Sequence, residues 1–307
     1  MTEKLVSVVI PTYKGSDVIT RAVDSVLEQT YPNFEIIVVD DNAPNMPERI
    51  ATEEVMHRYD DNKSVVYLKH ETNRNGAAAR NTGIHFSHGL YIAFLDDDDW
   101  FLPEKIEEQV RFLNQHEQFK ACYCLAQRDG KPIQTIPYTG DVSKELLMMK
   151  SRMFTPSLCF RKEALLAING FDESFRRHQD YELLLRFFQK GFKIGCVEKV
   201  LVELGTGAGN NNPNGDKLLG IKNNFLKSFE PFINLIDKST PGIKKKIYAL
   251  HYGKVFVQFI IEHQFRKALN LTSQYFFLSP SYFMLPMFQK VIGYLCKRIK
   301  MLFKKGE

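Results

Sequence analysis

Four consecutive carboxylates, Asp96 to Asp99, follow the apolar run Leu90 to Leu95. Like charges a few ångströms apart repel and raise one another's pKa values, so such a cluster needs a cation to be held together. A hard divalent ion bound by oxygen meets that need, and Mg²⁺ or Mn²⁺ commonly joins one or two carboxylates to the phosphates of a nucleotide. The competing reading is a solvated acidic turn in which Asp99 caps a helix opening near Pro103. A second acidic pair, Asp40-Asp41, ends another β-branched run, and Asp180 stands in His178-Gln179-Asp180-Tyr181 at the head of a helical stretch. Taken alone, Asp180 reads as an N-terminal cap favoured by the helix dipole.

The elements that must position these groups are legible as alternating strands and helices. Val6 to Ile10 is the first strand. Ser16 is expected to cap a helix whose apolar residues Val18, Ile19, Ala22, Val23, Val26 and Leu27 recur at helical spacing. Glu35 to Val39 is the second strand, Pro47 to about Tyr59 a helix, and Val65 to Leu68 the third strand. Gly76 to Phe86 reads as a helix whose small residues Ala77, Ala78 and Ala79 admit a ligand close to its N-terminus. This alternation is the signature of βαβ units around a parallel sheet, in which ligands lie beyond the carboxyl ends of the strands. Three polar loops, at Pro11-Thr12-Tyr13, Asp40-Asp41 and Asp96 to Asp99, are therefore expected to meet in one crevice. Further on, strands are expected near Ala121 to Ala126 and Phe154 to Phe160, and helices at Lys162 to Ile168 and Tyr181 to Gly191.

The chain has 307 residues, which leaves room for one large α/β domain and an appendage. A Gly/Asn-rich segment, Gly205 to Gly215, suggests a boundary there, giving a domain over 1–215 and a helical, basic region over 216–307. Its Gly205-Thr-Gly-Ala-Gly209 is no dinucleotide fingerprint, because Asn and Pro follow where a helix must open. The five scattered cysteines read as reduced thiols, and the N-terminus lacks a signal-peptide pattern, so a cytoplasmic location is expected. His85 and His88 have no cysteine partners nearby and read as surface residues.

Four motifs in order, Val6-Ser-Val-Val-Ile-Pro-Thr-Tyr13, Ile36-Ile-Val-Val-Asp-Asp41, Asn75-Gly-Ala-Ala-Ala-Arg-Asn81 and Phe94-Leu-Asp-Asp-Asp-Asp99, resemble those of the family 2 glycosyltransferases over about the first 200 residues. The resemblance implies a GT-A fold, a Rossmann-like, mostly parallel α/β sheet flanked by helices, here with a C-terminal helical extension. It implies an activated donor, usually a UDP-sugar, a divalent metal (Mn²⁺ or Mg²⁺) and inversion at the anomeric carbon. Residue by residue, it places Pro11, Thr12 and Tyr13 on the wall of the nucleotide pocket and Asp41 at the base. It makes Asp98 the metal ligand beside Asp96 and sets Asp97 to meet the ribose. Arg80 becomes a contact to phosphate or to the acidic cluster, its alternative being a structural ion pair.

In that family the acid pair after a Gly-Phe-Asp-Glu segment supplies the base, and Gly170-Phe-Asp-Glu173 followed by Gln179-Asp180 puts Asp180 in that position. Gln179 departs from the usual glutamate, and Asp97 and Asn42-Ala43 are smaller departures. Thr155, Ser157 and Gln179 are the expected acceptor contacts. The acceptor implied is a glycan or lipid-linked sugar in surface polysaccharide synthesis. The Phe- and Lys-rich C-terminal region, interrupted by Pro280 and Pro286, reads as an amphipathic contact for an anionic membrane surface, with packing on the catalytic domain or on a second subunit as the alternative, and not as a span. Nothing in it reads nucleic acid. A nucleotidyltransferase and a nucleotide-sugar-binding scaffold without activity are the competing functions.

Overall fold

In the computed structural model, residues 3–205 and 213–303 are described, with side chains up to residue 293. The chain divides into two compact units, Met1–Ala208 and Gly209–Glu307. Residues 206–212 of the Gly/Asn-rich segment lie outside the described residues, as do Lys304, Lys305 and the side chains of Leu295, Cys296, Ile299, Leu302 and Phe303.

The first unit begins with strand β1 (Val6–Thr12), whose Val6, Val8, Val9 and Ile10 are fully buried. Such a continuous apolar run belongs to a parallel strand covered on both faces, and each of these side chains contributes about 1.5–3 kcal/mol by leaving water. Helix α1 (Ile19–Leu27) buries Ile19, Ala22, Val23 and Val26 along one stripe. Ser16 does not cap it. Val18 is the capping residue and makes no side-chain bond, and the Gly15 carbonyl accepts from the Val18 and Ile19 N–H groups instead. Strand β2 (Phe34–Asp40), helix α2 (Pro47–Met56), strand β3 (Val65–Lys69), helix α3 (Gly76–Phe86) and strand β4 (Tyr91–Phe94) complete the expected alternation.

β1 lies between β2 and β4, parallel to both, with Val6 level with Phe34 and with Tyr91. Since consecutive strands leave β1 on opposite sides, this is a topological switch point, and the loops after all three strands emerge along one edge. Thr12 is registered with Asp40, and the Leu95 N–H donates to the Val9 carbonyl, which fixes the start of the acidic run against β1.

The second half of the unit adds β5 (Trp100–Phe101), α4 (Lys105–Gln115), β6 (Ala121–Arg128), β7 (Lys131–Pro132), α5 (Ser143–Leu147), β8 (Leu158–Arg161), α6 (Lys162–Ala167), α7 (Gln179–Gln189) and β9 (Ile194–Glu203). The strand order is β3-β2-β1-β4-β8-β6-β9-β5, with β7 on β6. Here the pairing is mixed: β8 runs antiparallel to β4 and β6, β5 to β9, and β7 to β6, while β9 is parallel to β6. Two boundaries differ from expectation. Thr155–Ser157 is a 3₁₀ turn, with the strand opening only at Leu158, and α7 begins at Gln179, two residues early, so that Asp180 lies inside its first turn.

The second unit consists of helices α8 (Gly215–Ser228), α9 (Glu230–Ser239), α10 (Ile243–Ile261), α11 (Phe265–Tyr275) and α12 (Pro280–Phe303). α10 and α12 approach closely at Gly253, where a Cβ would strike the Phe283 backbone. No helix among the described residues is long and apolar enough to cross a membrane.

Candidate active site

At the switch point the three loops and the head of α3 enclose a cavity of about 240 Å³. Its wall takes Pro11, Thr12 and Tyr13 from the end of β1, Asp41 after β2, Gly76, Ala79 and Arg80 from α3, and Asp96, Asp97 and Asp98 after β4. Each residue expected to touch nucleotide or metal lines this one cavity.

α3 presents its N-terminus to it. Asn75 caps the helix, its side-chain oxygen accepting from the Ala77 and Ala78 N–H groups. The positive end of the helix dipole at this start favours an anion. Asn75 adopts φ +89°, and Lys14 and His178, on the other loops at the site, adopt φ +59°. Positive φ in residues with side chains costs of order 1–3 kcal/mol and clusters at functional sites.

The acidic run is bound by specific partners. The Thr12 hydroxyl donates to Asp97 Oδ2 at 2.6 Å, Arg21 Nη2 donates to the Asp98 carbonyl at 2.8 Å, and the Gly205 N–H donates to Asp99 Oδ1 at 2.7 Å. Asp99 is thus tied to the end of β9; the capping residue of α4 is Glu104. Arg80 forms an ion pair with Asp96 and also donates to Gln179 Oε1 at 2.9 Å.

Burial, reinforced by the charges of Asp96 and Asp98 and opposed by the Thr12 hydroxyl, pushes Asp97 up to about 6. Asp98 is raised as well, by burial and then by Asp96, against the pull of Arg21 and Arg128. Asp99 rises to about 8, again chiefly through burial. The cluster therefore holds more negative charge than its surroundings neutralise, and its oxygen donors suit a hard divalent cation. Among the described residues no three His, Cys, Asp or Glu side chains gather to hold a metal by themselves.

Gly15 explains part of this geometry. A Cβ there would collide with the Asp97 carboxylate and the Thr12 hydroxyl. Gly15→Ala is expected to break the bond between Thr12 and Asp97 and weaken nucleotide binding about tenfold, the usual scale of a lost hydrogen bond to a charged group, while costing about 1–3 kcal/mol of stability. Nucleotide titration and thermal melting of the variant check both numbers; unchanged affinity would remove Asp97 from the site.

Asp41 lines the cavity but also has structural partners. It is buried, and its carboxylate accepts four hydrogen bonds: from His70 Nδ1 at 2.7 Å, Asn73 Nδ2 at 2.9 Å, and the Arg74 and Asn75 N–H groups, both at 2.8 Å. A carboxylate has about four acceptor sites, so a base N–H reaching Asp41 must share one. Its immediate work is to fix the 70–75 segment that leads into α3. Asp40 is likewise taken, by an ion pair with Arg49 at 3.0 Å and the Tyr67 hydroxyl.

Asp180 lines a separate cavity of about 370 Å³ with Arg128, Ile133, Arg152, Met153, Phe154 and Tyr181. Burial pushes its carboxyl up to about 6, opposed by the Tyr181 N–H and the Arg80 charge and aided by Asp96. The residues expected to contact an acceptor have other partners. Gln179 has both ends of its amide engaged, by Arg80 and by the Phe175 carbonyl at 2.8 Å, so it positions Arg80. Ser157 is fully buried and donates to the Phe154 carbonyl, and Thr155 is buried in the same turn. Neither lines the cavity, which takes the preceding Phe154. Arg21, which also stacks over Trp100 at 3.9 Å, together with His70, Arg128 and Arg152, carries no motif signal; these residues reach the site only through tertiary structure.

Residues 7–193 match the family described as Glycosyl transferase family 2. An amylovoran biosynthesis glycosyltransferase, AmsB of Erwinia amylovora, is 32% identical over 206 residues, covering 64% of this chain and 67% of its own. An uncharacterised glycosyltransferase of Haemophilus influenzae is 30% identical over 192 residues, 61% of this chain and 63% of that one. The chain thus spans about two thirds of these relatives. Among solved structures, S. aureus TarS 1-349 in complex with UDP-GlcNAc superposes with TM-score 0.63 at 16% identity, covering 92% of this chain and 83% of that one. The mannosyltransferase PcManGT from Pyrobaculum calidifontis, in complex with GDP-Man and Mn²⁺, gives TM-score 0.53 at 16% identity over 83% and 64%. At these identities the structural likeness concerns the fold.

Proposed function

The chain belongs to glycosyl transferase family 2, and from that premise we propose that it moves a sugar, with inversion, from a nucleoside diphosphate donor to a hydroxyl of a glycan or lipid-linked acceptor in surface polysaccharide synthesis. The observation that carries this is the pairing of an acidic, α3-headed cavity with a second cavity holding Asp180. UDP is the expected nucleotide.

The donor's base and ribose lie against Pro11 to Tyr13, Asp41 and Asp97, and its diphosphate lies between the N-terminus of α3 and Asp98. Asp98, with Asp96 beside it, would hold a Mn²⁺ or Mg²⁺ ion, which when bound neutralises charge on the departing diphosphate. Arg80, braced by Gln179, keeps Asp96 in place and confines the excess charge to the side facing the donor. Asp180 accepts the proton of the acceptor hydroxyl as its oxygen attacks the anomeric carbon on the face opposite the leaving group. The new C–O bond forms as the bond to the diphosphate oxygen breaks, which inverts the centre without a covalent enzyme intermediate. Holding both substrates in line supplies much of the acceleration, leaving the protein to orient and deprotonate.

Incubating the full chain with UDP-, GDP- and TDP-sugars and Mn²⁺, with water standing in for the acceptor hydroxyl, and following nucleoside diphosphate release by chromatography and, before mutarotation, the anomer of the freed sugar by NMR, tests this reading. Release confined to one nucleotide with an inverted anomer is expected. A retained anomer, or no release from any donor, overturns it.

We place the second unit at a membrane surface. Phe265 and Leu269 on α11, and Phe288, Val291 and Ile292 on α12, are exposed apolar side chains interspersed with Arg266 and Lys290. That combination suits an anionic interface, where apolar burial and charge attraction add. Co-sedimentation with vesicles of 1:1 phosphatidylglycerol and phosphatidylcholine is expected to exceed that with pure phosphatidylcholine; equal recovery from both would defeat the idea.

A further inference from the structure

The cavity beside Asp180 holds two cationic side chains that the transfer chemistry does not use. Arg128 ends β6 and Arg152 lies just before the 3₁₀ turn, and both are exposed where they line the cavity. Among the described residues neither guanidinium forms a hydrogen bond or a salt bridge, which is common for exposed arginines such as Arg58 and Arg176; what sets these two apart is that both line the cavity that holds Asp180. The remaining wall is apolar or aromatic: Ile133, Met153, Phe154 and Tyr181. The negative group in the cavity is Asp180 itself, whose carboxyl burial and Asp96 already burden with unfavourable charge.

A neutral acceptor leaves both arginines idle, since guanidinium groups are best matched by carboxylate or phosphate oxygens, which they grip through paired N–H donors. The apolar wall, meanwhile, suits the faces of sugar rings or an alkyl stem. We propose that the acceptor carries an anionic group, a uronate or a phosphate ester, bound by Arg128 and Arg152, and that this contact brings its neutral hydroxyl to Asp180. This rests on the assignment of the Asp180 cavity to the acceptor.

The arginines then act in two ways. They raise the affinity for charged acceptors, and they set the distance between the anionic group and the reacting hydroxyl, which selects the sugar that is extended. Arg128 also stands within electrostatic reach of Asp98 and Asp99. Service to the donor diphosphate is accordingly the rival role the experiment has to separate.

The test uses the full chain saturated with UDP and Mn²⁺ and three acceptor probes sharing one neutral disaccharide core. One probe is the neutral disaccharide, one has its terminal sugar oxidised to the uronic acid, and one carries a short-chain alkyl diphosphate at its reducing end. Binding is followed by ligand-observed NMR, and UDP affinity is measured separately by calorimetry. At least one charged probe is expected to bind about tenfold more tightly than the neutral one, an advantage that Arg128→Gln and Arg152→Gln each remove in large part. A preference for the uronate identifies an acidic sugar, and a preference for the diphosphate a lipid-linked one.

Equal binding of all three probes overturns the proposal, as does loss of UDP affinity in both variants with the probe preference intact. Unchanged melting temperatures establish that the variants fold. Transfer by Asp180→Asn undermines the function assignment itself, whatever the arginine variants do, so the two failures are distinguishable.

Discussion

Asp180→Asn is expected to lower transfer by roughly 10²- to 10⁴-fold, the usual contribution of a positioned general base, while UDP binding stays within about twofold of the parent. The amide is nearly the same size as the carboxyl, and its oxygen can still accept from the Tyr181 N–H that now bonds Asp180 at 2.9 Å. The fold at the head of α7 should therefore survive, and what is lost is the ability to accept a proton. In the unsubstituted chain the carboxyl, raised to about 6 by burial, works only when ionised. Its raised pKa shifts that requirement towards neutrality: the turnover rate falls as pH drops through about 6, by about tenfold per unit once protonation dominates, and levels off above about pH 7. A pH profile of turnover at saturating donor checks this. A plateau extending down to pH 4.5 would place the base elsewhere, and full activity of the Asn variant would remove Asp180 from the mechanism. A scaffold without activity predicts no difference between the two proteins in any assay.

Asp98→Ala is expected to have the second largest effect, a loss of about 10²-fold or more in metal-dependent UDP affinity. Asp96 is neutralised by Arg80, Asp97 accepts from Thr12, and Asp99 accepts from the Gly205 N–H. Asp98 borders the cavity; Arg21 donates to its backbone carbonyl, and its carboxylate accepts from its own N–H. Among the described residues its carboxylate bonds to no other side chain, which leaves it to a ligand. Removing it should also relieve repulsion within the run, because Asp97 and Asp99 are both pushed upward in part by its charge. The variant should then melt at the same temperature or higher than the parent without ligand, while losing the stabilisation that UDP and Mn²⁺ together provide. Calorimetry and melting curves measured side by side separate this from general damage. A variant that keeps metal-dependent UDP affinity would shift the metal role to Asp96 or Asp99.

The meeting of the three polar loops in one cavity was readable from sequence because they follow parallel strands in chain order. The apolar runs of β1, β2 and β4 mark where each strand stops, and in a sheet with its switch point at β1 those stops must adjoin. α3 was readable to the residue because Asn75-Gly76 opens it and Ser87, with extended backbone, closes it. Other features depend on partners distant in the chain. β9 carries exposed Glu198 and Lys199 in mid-strand and a register shift opposite Cys124 to Ala126, so its pattern neither alternates nor stays apolar. Ser16 has the chemistry of a cap, but the Gly15 carbonyl already holds the start of α1.

The acceptor side was the least legible. Ser157 and Thr155 sit in the expected segment, yet the 3₁₀ turn sends them inward and leaves Phe154 at the cavity. Gln179 looked like a weakened acid pair, whereas its amide accepts from Arg80 across a separation of 99 residues. Its substitution for glutamate exchanges a charge for a neutral brace, which lets Arg80 direct its charge to Asp96. Arg128 and Arg152 stood in no motif, and only the fold brings them beside Asp180.

The most direct test of the central claim is a calorimetric titration of the full chain with UDP, in the presence and absence of Mn²⁺. The account predicts binding that strengthens at least about tenfold with the metal, because the diphosphate and the acidic run repel each other until a cation joins them. Equal affinity in the two conditions would contradict the role given to Asp98, and no binding in either would contradict the assignment of the α3-headed cavity to UDP.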